Sequence, residues 1–233
     1  GCRMKLSTAQ GGPFAAPVQL LAQVMKKPWI WAYIAALLAF CATGFISGGY
    51  GAGSLAYAAL TFAAFAAIVG IGQMIVVTMG PGNVDLSIPA VMTLSATLSL
   101  KFMNTEPSLI LPGIAIALFI GFLSGMFNFA LILLLRIPPI IATLSSSFLF
   151  QSLAIWSNRG LRIKPPAALA EFSTGGFLGV PNVAIVGIII AALAWLVLER
   201  AVAGRWICAI GQNSRAARLS GVPINQVRFG VYV

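Results

Sequence analysis

The residues of this chain that could do chemistry are a few polar side chains beside long apolar runs. The stretch Gln73–Pro89 contains Asp85, the only carboxylate close to the apolar runs that has no basic neighbour in sequence. A charge at the centre of a bilayer costs about 2.5–3.5 kcal/mol on insertion scales, so such a residue is a candidate for function. Asp85 could line a pathway for a solute, or it could cap the helix that follows.

The position of Pro89 bears on this choice. A helix capped by Asp85 would place Pro89 at its fourth position, where the ring presses on the carbonyl four residues earlier. A cap at Ser87 places Pro89 second, where it is tolerated, and would leave Asp85 free to face a cavity or a partner. The helix Ile88–Leu100 is then about 20 Å long, too short for a hydrocarbon core of about 30 Å. We therefore expect a break at membrane depth, where irregular backbone must face protein or water.

A second polar interruption resembles the first. The pattern Pro-x-x-x-Thr-Leu-Ser begins at Pro89 and again at Pro139. Two matching broken segments are typical of a transporter built from repeats, although Thr and Ser hydroxyls in membrane helices usually bond to their own backbone. The amides of Gln73 and Asn128 could join helices, which is the favoured interpretation, or they could contact solute. The candidate pathway residues are Asn83, Asp85, Ser87, Asn128, Thr143 and Ser145.

Covalent catalysis has little support in these residues. The chain has no histidine, no paired acids and no base near a candidate nucleophile. It also lacks a phosphate-binding GKS or GKT loop and any CxxC or Cys/His spacing. We expect no catalytic residue, no metal and no cofactor in this chain, so a nucleotide, if one is used, must bind to another chain.

Composition predicts the elements that hold these residues. Of the 233 residues, 60% are hydrophobic and 8% are charged, far from the roughly 25% charged residues of a soluble domain. This predicts an all-α, polytopic transmembrane bundle of six complete spans plus the start of a seventh at Arg228–Val233, with a C-terminal portion missing. The predicted apolar segments are Trp29–Ile46, Ser54–Thr78, Leu86–Leu100, Leu109–Leu135, Pro139–Trp156 and Val183–Leu198.

Charge predicts the orientation. The net charge of +10 comes from basic residues between the apolar runs, which is typical of cytoplasmic loops and gives no reason to expect nucleic acid. We expect residues 1–28 to form a cytoplasmic tail and 29–233 to form the membrane domain. A re-entrant third segment would reverse every later loop. The preferred orientation places Lys26, Lys27, Arg136, Arg200, Arg205, Arg215 and Arg218 inside, and Lys101, Arg159, Arg162 and Lys164 outside.

The external connection from Ser157 to Pro181 is rich in glycine and proline. So many turn formers predict a loop or a short hairpin rather than a longer regular element. It is either a solvated linker or a docking surface for an external protein.

Four sequence blocks resemble those of one family. They are Gly82–Ser87, Gly125–Asn128, Pro138–Leu144 and Ala209–Gly221. In this order they are similar to the permease subunits of bacterial ABC importers for ribose, xylose, arabinose and related monosaccharides, including the autoinducer-2 permeases. The resemblance covers the chain from about Ala67 to Val233.

The resemblance implies a protein of the bacterial inner membrane that passes solute by alternating access and catalyses no covalent reaction. It implies a periplasmic sugar-binding protein, a second permease chain, and ATP hydrolysis in a cytoplasmic ABC ATPase. The alternatives are a permease for branched-chain amino acids, or an independent channel or proton-coupled carrier with Asp85 as its coupling group. The departures from the family glycines leave the solute open; they are Asn83, Pro89, Phe129, Ser145 and Gln212.

The block Ala209–Gly221, called the coupling segment below, also has a local interpretation. Asn213 or Ser214 can cap a helix over Arg215–Ser220, and Gly221 can end it in a left-handed conformation. From the residues alone this is an ordinary cytoplasmic turn. The resemblance implies instead a helix that docks on the ATPase through Ala216, Ala217 and Leu219, with Arg215 and Arg218 meeting acidic groups. The residues assigned to this role are Gly211, Asn213, Arg215, Ala216, Ala217, Arg218, Leu219, Ser220 and Gly221.

Overall fold

The computed structural model describes residues 27–46, 48, 52–159 and 163–233. Almost all regular structure in this part of the chain is helical, as predicted. The elements in chain order are α1 (Pro28–Ile46), α2 (Ala52–Thr78), α3 (Ile88–Met103), a 3-10 turn (Pro107–Leu109), α4 (Ile110–Leu133), α5 (Pro139–Ser157), α6 (Ala167–Thr174), β1 (Gly176–Phe177), β2 (Val180–Pro181), α7 (Asn182–Arg200), α8 (Val202–Gln212), α9 (Ser214–Leu219) and α10 (Ile224–Tyr232).

Four helical stretches are long and apolar enough to cross a membrane: Gly53–Thr78, Pro107–Leu133, Pro139–Ser157 and Asn182–Arg200. Two shorter apolar helices, Ile30–Ile46 and Ile88–Met103, correspond to the first and third predicted segments. All six predicted segments therefore fall on helices. The count of six complete spans and the start of a seventh stays a prediction, and the expected tail lies almost wholly outside the described residues.

The chain divides into two compact units, residues 1–56 and 57–233. In the first unit, α1 is a 19-residue apolar helix. In the second unit, α3 packs mainly against α4 and α5. Ala90 and Leu94 of α3 form a buried cluster with Phe150 and Ala154 of α5.

A second buried cluster lies where the end of α2 meets α8, α9 and α10. Val76, Met79, Ile210 and Tyr232 belong to it. Gly125 of α4 also allows a close approach, because a Cβ there would collide with the backbone of Tyr232. Small residues at such positions let membrane helices pack closely where hydrophobicity cannot drive them together.

The Ser157–Pro181 connection contains more regular structure than expected. The short hairpin is present, with Gly176 opposite Pro181 and Phe177 opposite Val180. The helix α6 was not predicted, and the expectation that turn formers exclude a regular element here was wrong. Prolines and glycines flank the stretch Ala167–Thr174 without entering it, and its alanines and leucine favour a helix.

Candidate functional site

The nine residues Met79–Ser87 between α2 and α3, here called the break, leave regular helical structure. Gly80 and Gly82 adopt positive φ angles of 113° and 84°, which glycine accepts without strain. The helix α3 then begins with Ser87 as its N-cap residue and Pro89 at a permitted early position. This is the helix start predicted for a cap at Ser87.

The sequence suggested that a cap at Ser87 would leave the Asp85 carboxylate free, but in the structure this carboxylate is bonded. Its Oδ1 accepts hydrogen bonds from the backbone N–H of Ser87 at 2.8 Å and from the Ser87 hydroxyl at 2.7 Å. The Ser87 hydroxyl itself makes no capping bond to the helix. An aspartate that binds the backbone two residues ahead is a common device for fixing a turn. Asp85 therefore holds the start of α3 with one oxygen, while no bond to Oδ2 occurs within the described residues.

A buried chain of hydrogen bonds continues from Ser87 into α4 and α5. The side-chain amide of Asn128 donates to the Ser87 hydroxyl at 2.7 Å, and the Ser146 hydroxyl donates to Asn128 Oδ1. Ser87, Asn128 and Ser146 are each only 1% exposed. All donors point the same way, towards the Asp85 carboxylate, and successive hydrogen bonds of this kind polarise one another.

Thr143 joins the break to the second predicted interruption. Its hydroxyl accepts from the backbone N–H of Leu86 at 3.0 Å and donates to the Pro139 carbonyl at 2.9 Å. The bond to its own helix is the ordinary one expected of a membrane threonine. The bond from Leu86 N is not a bond within one helix. It joins a backbone N–H of the break to a side chain in the first turns of α5.

Two of the predicted pathway residues lie outside this network. Asn83 is half-buried and donates to the carbonyl of Gly80 at 3.1 Å, within the break itself. Ser145 lies on the exposed side of α5, whereas Ser146 takes part in the network. Helical spacing could have found Ser146, because residues three apart share a face and Ser146 follows Thr143 by three.

A cavity of about 280 Å³ lies beside the network. Asp85, Ser87 and Asn128 supply polar groups to its wall, and α2, α3 and α10 supply mostly apolar ones. Tyr232 also lines it, and the buried Tyr232 hydroxyl has no hydrogen-bond partner within the described residues. The amide of Asn128 joins helices as predicted, whereas Gln73 Oε1 is buried without a partner in the same part of the chain.

The coupling segment has the local structure expected of it. Asn213, rather than Ser214, caps α9: its Oδ1 accepts from the backbone N–H of Arg215 at 3.1 Å and of Ala216 at 3.0 Å. Gly221 follows the helix with φ of 82°, the predicted left-handed end. The helix covers Ser214–Leu219, one residue earlier than predicted.

The faces of α9 differ from those expected. Ala217 is 4% exposed and packs into the chain's own core with Val76 and Ile210, so it cannot contribute to a face that meets another protein. Leu219 is 90% exposed, and Ala216 is exposed as well. The side chains that α9 presents outward are those of Ser214, Arg215, Ala216, Arg218 and Leu219.

Gly211 brings the coupling segment against the break. A Cβ at Gly211 would collide with the carbonyl oxygen of Thr78, the last residue of α2. The backbone of Gly211 also lies against Gly80, because a Cβ on Gly80 would meet Gly211 O at 3.4 Å. The two regions are therefore in direct backbone contact.

No cluster of three or more metal-binding side chains occurs in the part of the chain that the structure describes. The chemistry of the site consists of hydrogen bonds from one carboxylate, hydroxyls and an amide. A bundle of apolar helices with a polar break held between neighbouring helices is the construction expected of a transport subunit.

Comparison with known proteins identifies the family. Residues 55–233 match a family described as "Branched-chain amino acid transport system / permease component". The chain belongs to this family of permease components. Membership and the apolar helices together identify a multi-pass protein of the bacterial inner membrane.

Individual relatives are ABC permeases. The chain is 30% identical over 168 residues to "Probable ABC transporter permease protein y4mJ" of Sinorhizobium fredii, a match that covers 71% of this chain and 49% of that protein. It is 30% identical over 160 residues to the autoinducer 2 import system permease protein LsrD of Salmonella paratyphi B, covering 65% and 47%. It is 31% identical over 211 residues to LsrC of Shigella flexneri, covering 90% and 60%.

These matches confirm the resemblance to ABC permeases, the autoinducer-2 permeases among them. The chain spans about half the length of the first two of these relatives. No solved structure matches the chain.

Proposed function

We propose that this chain is the transmembrane subunit of an ATP-driven ABC importer for a monosaccharide or a related polyhydroxylated solute. The observation that carries the proposal is the cavity beside the break, where the Asp85 carboxylate is held in place with Oδ2 unbonded. Two relatives named for autoinducer 2 import support the solute class.

The cavity suits a sugar-like solute in chemistry and in size. The carboxylate can accept hydrogen bonds from solute hydroxyls, and charge-assisted hydrogen bonds are the stronger kind. Val69, Val76 and Ile88 line the same cavity and can contact the apolar C–H faces of a ring. The buried bonds from Asn128 through Ser87 keep the carboxylate in a defined position while the solute passes.

Coupling to ATP follows from the contact between the two regions. A cytoplasmic ABC ATPase docks on the outward side chains of α9, with Leu219 as the apolar contact and Arg215 and Arg218 beside acidic groups. Displacement of α9 reaches the break through Gly211 and Thr78, whose backbones touch. The subunit thereby alternates between outward and inward openings without catalysing a reaction, and ATP binds only to the partner.

The remaining partners follow from the orientation. With the N-terminus in the cytoplasm, α6 and the β1–β2 hairpin face the periplasm and receive the sugar-binding protein. Their exposed Phe172, Phe177 and Leu178 give this surface an apolar character. A second permease chain, identical or different, and membrane lipid cover the exposed apolar helices.

A permease for branched-chain amino acids is the second candidate, since the family description names these solutes. Asp85 could pair with the ammonium group of an amino acid, but no basic side chain among the described lining residues could pair with its carboxylate, which favours the sugar. An independent proton-coupled carrier that uses Asp85 is a third candidate. It differs from the other two because it needs no ATPase.

Reconstituted uptake by the full-length protein separates these candidates. Proteoliposomes would contain the permease with or without its ATPase and binding protein, and radiolabelled monosaccharides and leucine would be supplied. We expect monosaccharide uptake that requires the ATPase and ATP and that persists when a protonophore collapses the proton gradient. Uptake by the permease alone would contradict the ABC assignment, and uptake of leucine but no sugar would contradict the solute class.

A further inference from the structure

The two threonines of the repeated Pro-x-x-x-Thr-Leu-Ser pattern differ in what their hydroxyls contact. Thr93 Oγ1 donates to the Pro89 carbonyl at 2.9 Å, and Thr143 Oγ1 donates to the Pro139 carbonyl at 2.9 Å. Both are bonds to the residue four positions earlier, the usual arrangement in a membrane helix. The Thr93 hydroxyl makes no other bond in the described part of the chain, whereas the Thr143 hydroxyl also reaches the break.

The contacts of Thr143 with the break lie on both sides of one residue, Asp85. Thr143 Oγ1 accepts from the backbone N–H of Leu86 at 3.0 Å and lies 3.2 Å from the Val84 carbonyl oxygen, to which it can donate. This carbonyl and this N–H belong to the two peptide groups that flank Asp85. One hydroxyl of α5 therefore touches the backbone immediately before and immediately after the carboxylate-bearing residue.

The bond from Leu86 N is the more durable of these contacts. A threonine hydroxyl has one proton and two acceptor lone pairs. Its proton can go to Pro139 O or to Val84 O, whereas the bond from Leu86 uses a lone pair and persists in both cases. The other bonded N–H groups of the break find acceptors in α2 or in the break itself. Within the described residues, Thr143 is thus the one side chain of another helix that binds the backbone of the break.

Burial shows how Thr143 can affect the cavity. Thr143 is 0% exposed and does not line the cavity, so its hydroxyl reaches a solute only through a neighbour. Asp85 does line the cavity, and its Oδ1 accepts from the N–H and the hydroxyl of Ser87. Ser87 therefore fixes the carboxylate relative to its own backbone, and Thr143 fixes that backbone relative to α5.

We propose that Thr143 is a positioning residue for the Asp85 carboxylate. By holding the peptide groups on both sides of Asp85, it keeps the carboxylate on the wall of the cavity. Because the hydroxyl belongs to α5, a displacement of the first turns of α5 moves the backbone of Asp85 and weakens the hold on a solute. The role in uptake rests on the proposed function, whereas the contact itself does not.

Hydrogen exchange at the Leu86 amide tests the contact without any solute. The full-length permease with its partner subunits, in nanodiscs, is transferred to deuterated buffer, and the amide is resolved by mass spectrometry with fragmentation. Thr143→Val keeps the shape and removes the hydroxyl, so exchange should accelerate at least about fivefold, the scale of one lost hydrogen bond. Thr143→Ser keeps the hydroxyl and should exchange at the wild-type rate. Thr93→Val is the matched control, because its hydroxyl bonds only to its own helix.

Uptake into proteoliposomes tests whether Thr143 acts through Asp85. The probe is radiolabelled ribose, xylose or arabinose, whichever the wild-type complex takes up fastest. Thr143→Val should lower the rate at least about fivefold when Asp85 is present, and should have no further effect in an Asp85→Asn background. A residue that only stabilised the fold would lower uptake in both backgrounds, because independent effects add.

Conservative variants complete the series. Thr143→Ser should recover most of the uptake, and Thr93→Val should retain it. If Thr143→Val does not fold, Thr143→Cys replaces it. Its thiol is a weak donor and a weak acceptor, so both the acceleration of exchange and the loss of uptake should be smaller but still present.

Three results would overturn the proposal. The first is unchanged Leu86 exchange in Thr143→Val, which would mean that the hydroxyl does not hold the break. The second is unchanged uptake by that variant, and the third is an equal loss of uptake with and without the Asp85 carboxylate. Failure of the wild-type complex to take up any of the three sugars would instead contradict the proposed function, and the exchange measurement would still decide the contact.

Discussion

The break and the coupling segment both interrupt regular helix, but their backbone groups find partners in different ways. Both regions use a local cap, and in the break the cap is Asp85, which accepts from Ser87 N. Only the break adds side chains of other helices: Thr143 accepts from Leu86 N, and Asn128 donates to the Ser87 hydroxyl. In the coupling segment, Asn213 caps its own helix from two positions away.

The difference follows from the surroundings. The break is expected at membrane depth, where water cannot satisfy a free N–H or C=O group, so several helices must cooperate. The coupling segment is exposed, and a local cap is sufficient because water serves the remaining groups. Substitutions in α4 and α5 should therefore destabilise the break, although they lie far from it in sequence. The coupling segment should tolerate substitutions at positions other than its cap, Asn213, and its close contact, Gly211.

The largest loss of stability is expected for Asn128→Leu. The substitution keeps the volume but leaves the Ser87 hydroxyl without its donor and Ser146 without its main acceptor. The Ser87 hydroxyl keeps its bond to Asp85 and the Ser146 hydroxyl keeps one to the Thr143 carbonyl, so the loss is that of two buried bonds. Each is worth about 0.5–1.5 kcal/mol, so the free energy of unfolding should fall by up to about 3 kcal/mol. Thermal unfolding in detergent measures it, with Asn225→Leu as the exposed control. Equal losses for both variants would contradict the network.

Gly211→Ala should have the next largest effect. Its Cβ would collide with the Thr78 carbonyl, which must move, and overpacking of this kind costs about 1–3 kcal/mol. Because the collision separates the coupling segment from the end of α2, solute-stimulated ATPase activity should also fall. Gly70→Ala in α2 is the control, since its Cβ would meet nothing within 4 Å. If Gly211→Ala retained wild-type stability and coupling, the direct contact would have no functional role.

Asp85→Asn should reduce solute uptake while leaving the stability of the protein nearly unchanged. The asparagine oxygen can still accept from Ser87 N, so stability should change by less than about 0.5 kcal/mol, the usual scale for a benign substitution. Loss of the charge should reduce uptake at least about tenfold, which corresponds to about 1.4 kcal/mol. Glu106→Gln, an exposed acid outside the cavity, serves as the control. Normal uptake by Asp85→Asn would show that Asp85 only holds the helix start.

Leu219→Asp should change stability least of all, because the side chain is 90% exposed. It should nevertheless uncouple ATP hydrolysis from solute, since it places a carboxylate on the surface proposed to meet the ATPase. Leu219→Met keeps the surface apolar and should remain coupled. ATPase assays with and without loaded binding protein provide the measurement, and unchanged coupling in Leu219→Asp would exclude α9 as the docking element.

Much of the fold could be predicted from the long apolar runs and the small number of charges. Such runs indicate membrane-spanning helices, because a helix satisfies its own backbone hydrogen bonds in lipid. The helix start at Ser87 followed from one proline, and the cap and left-handed end of α9 followed from Asn213 and Gly221. These are local features, decided by steric and backbone constraints within a few residues.

Most of what the sequence did not predict concerns distant contacts, and two local features were also missed. Three features depend on which helix faces meet: the bond from Leu86 N to Thr143, the bond from Ser146 to Asn128, and the burial of Ala217. The sequence does not show which faces meet, because helices that are apolar all round have no hydrophobic periodicity. The role of Asp85 in holding Ser87 could have been inferred, since aspartate commonly binds the backbone two residues on. The helix α6 was missed because its flanking turn residues were counted without regard to their spacing.

The contact between Gly125 and Tyr232 has a consequence for how the protein is made. The hydrogen bonds around the break involve residues 85–146, so α3, α4 and α5 can assemble them as soon as they leave the ribosome and insert. The cavity beside them lacks a wall until Tyr232 arrives, 86 residues after Ser146. At about 5–20 residues per second this interval is about 4–17 s. During synthesis the Asp85 carboxylate and its network therefore face an incomplete cavity for several seconds before the last wall is in place.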